Sequence, residues 1–264
     1  MLLEEIRLPA AGDEFPFDLE MLRGTSELRL DRPVTLIVGE NGSGKSTLLE
    51  AIALAAELPV VGSFEVAGAD PSLGKVAPLA DAIKLSWSHR TRRGLFLRAE
   101  DYFGYVKAQN RMKSEMRSQL QRLRDENPGM PEPELRRISS PYAGSLAATD
   151  SRYGGDLDER SHGESFLSLF KGRLGGAGLY LLDEPEAALS PLRQLAFLAL
   201  VKEAVARGAQ FLIATHAPIL MAYPGARVYE VRGADVVAAE FDELEHVRTM
   251  RAFLDSPEAY LRHL

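Results

Sequence analysis

The sequence predicts an α/β fold, a mostly parallel sheet flanked by helices with antiparallel strands near its N-terminus. Short apolar runs (Val34–Val38, Leu179–Leu182 and Phe211–Ala214) have the length and composition of strands. Between them lie stretches of helix-forming composition. Strands that alternate with helices pack as a parallel sheet with helices on its faces.

Residues 25–38 (TSELRLDRPVTLIV) read as a strand, a turn at Asp31-Arg32-Pro33 and the apolar strand Val34–Val38. A glycine-rich loop follows. Ser46–Leu58 has a helix's composition, and Pro59 ends it. Residues 60–80, rich in Gly and Pro, read as loops with short strands, and Leu95–Arg98 as a further strand. Tyr102–Asn127 reads as a helix, free of proline and with apolar residues at 112, 116, 120 and 123. Four prolines and the pair Gly154-Gly155 predict irregular chain over 128–160. A helix begins near Gly163 and runs to about Lys171. Buried strands at Leu179–Leu182 and Phe211–Ala214 flank a helix over Pro191–Arg207. The expected organisation is a single domain over 1–264, with a helical lobe over 101–175 and an acidic C-terminal extension over 225–264.

The 264 residues are 45% apolar and 26% charged, near the globular average, which excludes wholesale disorder. Cysteine is absent. That excludes a disulfide framework and a thiolate metal site, and it suits a reducing, cytoplasmic location. Glu4 and Glu5 stand where a secretory signal needs positive charge. The longest apolar stretches, such as Ala51–Ala56 and Leu195–Val201, are shorter than the roughly 20 residues of a membrane span, so no membrane insertion is expected.

A net charge of −7 argues against a chain that coats nucleic acid with its whole surface. The charge is uneven, however. Residues 84–124 hold eleven Lys/Arg against three acids, a charge of +8 that leaves −15 for the remainder. Such a segment is either a contact for nucleic acid or an acidic partner, or a solvated helix face.

Gly39-Glu-Asn-Gly-Ser-Gly44-Lys45-Ser46 matches G-x-x-x-x-G-K-[ST], between an apolar strand and a helix. Gly39, Gly42 and Gly44 let the backbone curl so that successive N–H groups of the loop, with Asn41 and Ser43 among its binding residues, point at phosphate oxygens. The helix carrying Lys45, Ser46 and Thr47 adds the positive end of its dipole. Lys45 is placed to reach the β- and γ-phosphates, and the Ser46 hydroxyl to help hold Mg²⁺. This loop predicts a nucleotide site.

Leu179-Tyr-Leu-Leu-Asp183-Glu184-Pro185 is four apolar residues followed by two acids. In a parallel sheet the carboxyl end of a strand is where ligands bind. There Asp183 is the candidate Mg²⁺ ligand and Glu184 the candidate for polarising an attacking water. Ser161-His-Gly-Glu-Ser165, 22 residues before Asp183, offers a second anion-binding helix start through Ser161 and Gly163.

With these three elements in this order, the chain resembles the ABC-type ATPases, a family of P-loop NTPases. GENGSGKST resembles the family's Walker A, SHGES its signature motif (usually LSGGQ) and LYLLDEP its Walker B. Glu186–Ser190 (EAALS) stands at the D-loop, and His216 in ATHAP resembles the switch histidine. GENGSGKST and the SHGES variant are closer to the small soluble SMC/RecF-like branch than to transporter cassettes. Arg160 replaces the leucine before the signature serine, His162 its first glycine and Glu164 its glutamine. Glu100 occupies the place of the Q-loop glutamine or is a helix N-terminal acid. Phe15 and Phe17 either stack on adenine or pack in the core.

The resemblance implies ATP and Mg²⁺ as cofactors, a helical lobe that carries the signature motif, and Glu184, His216 and Lys45 as the catalytic set. It also implies an ATP-dependent homodimer, in which Ser161 and Gly163 of one chain meet the γ-phosphate bound by Lys45 of the other. The expected role is ATP hydrolysis in a soluble nucleic-acid-related or defence process. The alternatives are the energising subunit of a membrane transporter, or a nucleotide-gated switch acting on a protein partner.

Overall fold

The apolar run before the glycine loop is a strand with all five residues buried in the computed structural model, which describes residues 1–61, 71–153 and 162–262. In chain order the strands are β1 (Leu3–Arg7), β2 (Glu27–Arg29), β3 (Val34–Val38), β4 (Lys84–Trp87), β5 (Gly94–Arg98), β6 (Leu179–Asp183), β7 (Gln210–Ala214), β8 (Arg227–Arg232) and β9 (Asp235–Ala238). They form an antiparallel sheet, β2-β1-β4, and a six-stranded sheet, β5-β6-β7-β3-β8-β9. The second is parallel from β5 to β8, and only β9 runs against its neighbour. β3, β6 and β7 show no polar alternation because both faces of each are covered. The register pairs Asp183 with Ala214, Ala214 with Ile37, and Val38 with Glu230. The carboxyl ends of β6, β7, β3 and β8 therefore open along one rim.

The chain divides into two compact units, Met1–Ala99 with Gly175–Leu264, and Glu100–Leu174. In the first, α1 (Met21–Gly24) precedes β2, α2 (Lys45–Ala55) follows the glycine loop, and α3 (Ala77–Ala82) precedes β4. Leu48, Leu49 and Ile52 bury one side of α2 in the core. The described part of 60–80 corrects the expectation of short strands. Val60 makes a lone bridge to Phe96, and the rest is a 3-10 turn over Pro71–Val76 followed by α3. Residues 62–70 lie outside the described residues. β4 has no counterpart in the sequence reading, since this edge strand (KLSW) is short and buries none of its residues fully.

Gln210, buried at the start of β7, ties the two sheets together. Its Oε1 accepts from the Leu2 and Leu3 amides at 2.9 Å each, and its Nε2 donates to the Leu3 carbonyl at 2.7 Å.

The second unit holds α4 (Ala99–Glu126), α5 (Glu132–Tyr153) and α6 (His162–Arg173), with Ala99 itself in the first unit. Over Glu132–Tyr153, α5 corrects the irregular chain expected over 128–160, while residues 154–160 of that stretch lie outside the described residues. Pro131 precedes the helix and Pro133 sits in its first turn, where the missing N–H breaks no bond. Pro141 lies inside and strips the Arg137 carbonyl of its i→i−4 donor. The Ser140 hydroxyl donates to that carbonyl instead, at 3.1 Å. α6 buries Gly163, Ser165, Phe166, Leu169 and Phe170. Tyr102 meets Phe166 edge-on at 5.0 Å, and burial pushes its phenol up to about 12, partly offset by a hydrogen bond with Ser165.

The first unit resumes with β6, α7 (Pro191–Ala206), β7, α8 (Pro218–Met221), β8 and β9, then α9 (Glu245–Asp255) and α10 (Pro257–Leu261). The acidic extension expected over 225–264 thus begins inside the main sheet, as β8 and β9. The acids of this stretch obscure the strand, because Glu230 is buried yet neutralised by Arg232. Among the described residues, no helix is long and apolar enough to cross a membrane.

Candidate functional site

The glycine loop spans Gly39 to Gly44 between β3 and α2. Gly44 has φ +90°, and a Cβ there would come within 3.0 Å of Leu19 Cδ2. Gly39 has φ +153°, and its Cβ would meet the Val231 Cβ at 3.0 Å. Only glycine fits either position. Asn41 and Gly42 are exposed at the crest, while Ser43, Ser46 and Thr47 are half-buried.

Lys45 is buried and folds back over the loop. Its Nζ donates to the Gly39 carbonyl at 3.0 Å, the Glu40 carbonyl at 2.7 Å and Ser43 Oγ at 3.2 Å. Burial lowers its pKa, while the nearby charges of Glu184, Asp183 and Glu186 oppose that shift. Asp183 ends β6 with 7% of its surface exposed. Burial pushes its carboxyl up to about 6, against a hydrogen bond from the Ser46 hydroxyl. Its Oδ1 finds no hydrogen-bond partner among the described residues. A buried acid with a free oxygen beside a hydroxyl suits a hard divalent cation, so these residues fit Mg²⁺.

Glu184 is in the left-handed region at φ 48°, ψ 48°, a conformation that costs a non-glycine residue of order 1 kcal/mol or more. Its amide donates to the Ala214 carbonyl at 3.0 Å, and its side chain is 45% exposed. His216 follows β7, with Nε2 3.5 Å from Glu184 Oε1 and without a hydrogen-bond partner among the described residues. Burial lowers its pKa and Lys45 adds to the shift, with Glu184 opposing, so the ring is neutral at pH 7. Lys45, Ser46, Asp183, Glu184 and His216 therefore converge on one rim, at the ends of β3, β6 and β7.

Glu186 plays a part the sequence reading does not assign. Its Oε1 accepts from Thr215 Oγ1 at 2.7 Å, the His216 amide at 2.6 Å and the Ala217 amide at 3.1 Å. A sequence signal for it exists. Amides at the start of a helix such as α8 need an acceptor, and a carboxylate three residues past the end of the adjoining strand supplies one.

Gly163 lies at the start of α6 in the second unit. Ser161 and the side chain of Glu100 lie outside the described residues. Phe17 packs on the core. Phe15, 50% exposed, instead lines a cavity of about 1010 Å³ beside the glycine loop, together with Gly39, Asn41, His216, Glu245 and His246. The basic segment is split. Lys84–Arg98 belongs to the first unit and residues 100–124 to the second. Arg98 is buried against Glu50 at 2.8 Å, and Arg90 and Arg92 pair with Glu57 at 3.5 and 2.6 Å.

Because burial raises its carboxyl, Asp183 makes the stability of the fold depend on pH. The native state holds a proton the unfolded chain has released between about pH 4 and 6, so the ionised carboxylate destabilises the fold above pH 6. Asp183→Asn is expected to stabilise the nucleotide-free protein by about 2–3 kcal/mol at pH 7.5. That gain should narrow as pH falls through 6 and vanish below about 4. Urea unfolding across this range checks it, and a variant less stable than wild type at pH 7.5 would refute it.

One family, described as "AAA domain", matches residues 17–59. A second, described as "AAA domain, putative AbiEii toxin, Type IV TA system", matches residues 165–222. The first segment contains the glycine loop and the second contains Asp183, Glu184, Glu186 and His216, while Ser161 and Gly163 lie outside both. No curated protein matches the chain. Among solved structures, an SMC head domain from Thermotoga maritima is 16% identical at TM-score 0.48, covering 91% of this chain and 100% of that one. A Pyrococcus furiosus Smc head domain with an extended coiled coil, bound to the C-terminal domain of ScpA, is 13% identical at TM-score 0.48, covering 98% and 100%. The cbiO1 protein of Clostridium perfringens, part of the ABC transporter complex cbiONQ, is 16% identical at TM-score 0.49, covering 98% of each chain.

Proposed function

We propose that this chain, which resembles the SMC/RecF-like members of the ABC-type P-loop ATPases, hydrolyses Mg²⁺-bound ATP to ADP and phosphate. The observation that carries the reading is the convergence of Lys45, Ser46, Asp183, Glu184 and His216 on one sheet rim. Without nucleotide, the Lys45 ammonium is satisfied by its own loop. On binding, phosphate oxygens replace those acceptors, and the loop amides supply further donors. Adenine and ribose take the cavity beside the loop, against Phe15. Ser46 and Asp183 would hold Mg²⁺, which neutralises charge on the phosphate oxygens when bound. Glu184 accepts a proton from the water whose oxygen attacks the γ-phosphorus as the bond to ADP breaks. The neutral His216 ring donates from Nε2 to a γ-phosphate oxygen, stabilising charge that grows in the transition state.

The site acts between two chains. Neither half alone surrounds the transferring phosphoryl group, and a second copy would add Ser161 and Gly163, closing the cage and excluding water. Leu192 and Leu195, 80% and 54% exposed on α7 just after the Glu186–Ser190 turn, give such a dimer apolar surface to bury. The process served is nucleic-acid-related or defensive. α4 exposes Arg111, Arg122 and Arg124, and a toxin–antitoxin system stands in the description of the family matched over 165–222.

ATP turnover by the purified protein, with and without single- and double-stranded DNA across a salt series, tests the reading. Mg²⁺-dependent turnover that DNA raises and salt suppresses is expected. Turnover indifferent to DNA would remove the nucleic-acid role, and absence of turnover would remove the ATPase.

A further inference from the structure

Glu184 and His216 stand on different loops, one after β6 and one after β7. Their relative position is fixed at two places, one at the strand ends and one beyond them. The first is main chain, where the Glu184 amide donates to the Ala214 carbonyl at 3.0 Å. The second is the side chain of Glu186. One carboxylate oxygen gathers the Thr215 hydroxyl and the His216 and Ala217 amides, within 2.6–3.1 Å. Three donors on a single acceptor fix three consecutive residues, and Thr215 beneath them is fully buried.

The β6 side of this connection is stiff as well. Glu184 is pinned at positive φ, and a 3-10 turn over Pro185–Ala188 is closed by bonds from the Ala187 amide to the Glu184 carbonyl (3.0 Å) and from the Leu189 amide to the Glu186 carbonyl (2.8 Å). Glu186 thus bridges a rigid turn carrying Glu184 to the segment carrying His216. The second oxygen, Oε2, is buried and has no partner among the described residues, so the carboxylate's bonding is directed at this one segment.

We propose that Glu186 is a positioning residue for hydrolysis, locking the His216 segment to the Glu184 turn so that both groups address the γ-phosphate together. The proposal rests on the ATPase reading above. Glu186 touches neither nucleotide nor water in this account and acts only through His216. Misplacing a reacting group by about 1 Å costs on the order of 10²-fold in rate, which sets the size of the effect.

A double-mutant cycle with a second, activity-independent readout tests it. Glu186→Ala is expected to lower kcat by about 10–100-fold with the Kd for ATP unchanged. Glu186→Gln keeps an acceptor oxygen and should retain most of the rate. In a His216→Ala background, Glu186→Ala should cost nothing further, because the residue through which it acts is already gone. Without nucleotide, Glu186→Ala should also speed amide exchange at His216 and Ala217 at least ~10-fold while leaving β3 unchanged. Equal losses in both backgrounds, a weakened Kd for ATP, or unaltered exchange at His216 would each overturn the proposal. A wild-type protein that fails to hydrolyse ATP would sink the ATPase reading instead, and the exchange measurement would still decide whether Glu186 holds the segment.

Discussion

Glu184→Gln is expected to slow ATP turnover by at least ~10²-fold with nucleotide binding retained. Glutamine keeps the shape of the side chain and its place at φ 48°, but its amide cannot take a proton from water at neutral pH. Its carboxylate lies 3.5 Å from His216 and its side chain is 45% exposed, so it is open to an incoming water, and Asp183 and Glu186 still face Lys45 when its charge is removed. The phosphate contacts proposed for Lys45 and the loop amides would be untouched, which is why binding should survive. Stalled hydrolysis should also accumulate the ATP-bound form. Sedimentation of this variant should therefore show dimers with ATP and monomers without. Unchanged turnover would remove Glu184 from its role, and a strictly monomeric profile with ATP at high protein concentration would defeat the dimer.

Lys45→Ala attacks binding itself and should weaken ATP affinity by ~10²-fold or more. The ammonium is buried among three acceptors and faces Asp183, Glu184 and Glu186. Two charge-assisted hydrogen bonds to phosphate, at about 1.5–3 kcal/mol each, account for a loss of that size. The variant also leaves the Gly39 and Glu40 carbonyls without their donor and three acids without their cation, so the nucleotide-free loop should loosen. Titration with a fluorescent ATP analogue measures the affinity, and an unchanged Kd would show that Lys45 does not face the phosphates.

The parts of this site that are contiguous in sequence were legible there. β3, β6 and β7 are buried on both faces, so they read as unbroken apolar runs, and the loop and acids that follow them are short motifs. The rest depends on contacts between distant residues or on local repairs. Pro141 argues for irregular chain until Ser140 is seen to satisfy the carbonyl it strips. β8 carries the buried Glu230, tolerable only because Arg232 and the Glu245 amide meet it. Glu186 looks like an acid in a first helical turn, and its bonds to residues 29–31 positions away are set by the parallel pairing of β6 with β7.

The rim formed by Lys45, Ser46, Asp183, Glu184 and His216 is proposed to hydrolyse ATP. Phosphate release from ATP by wild-type protein, with Lys45→Ala purified identically as the blank, tests it most directly. Release from wild type that stops when Mg²⁺ is withdrawn and is absent from the blank is the expected result. Equal release from both proteins, or none from a wild-type protein that binds ATP, would contradict it.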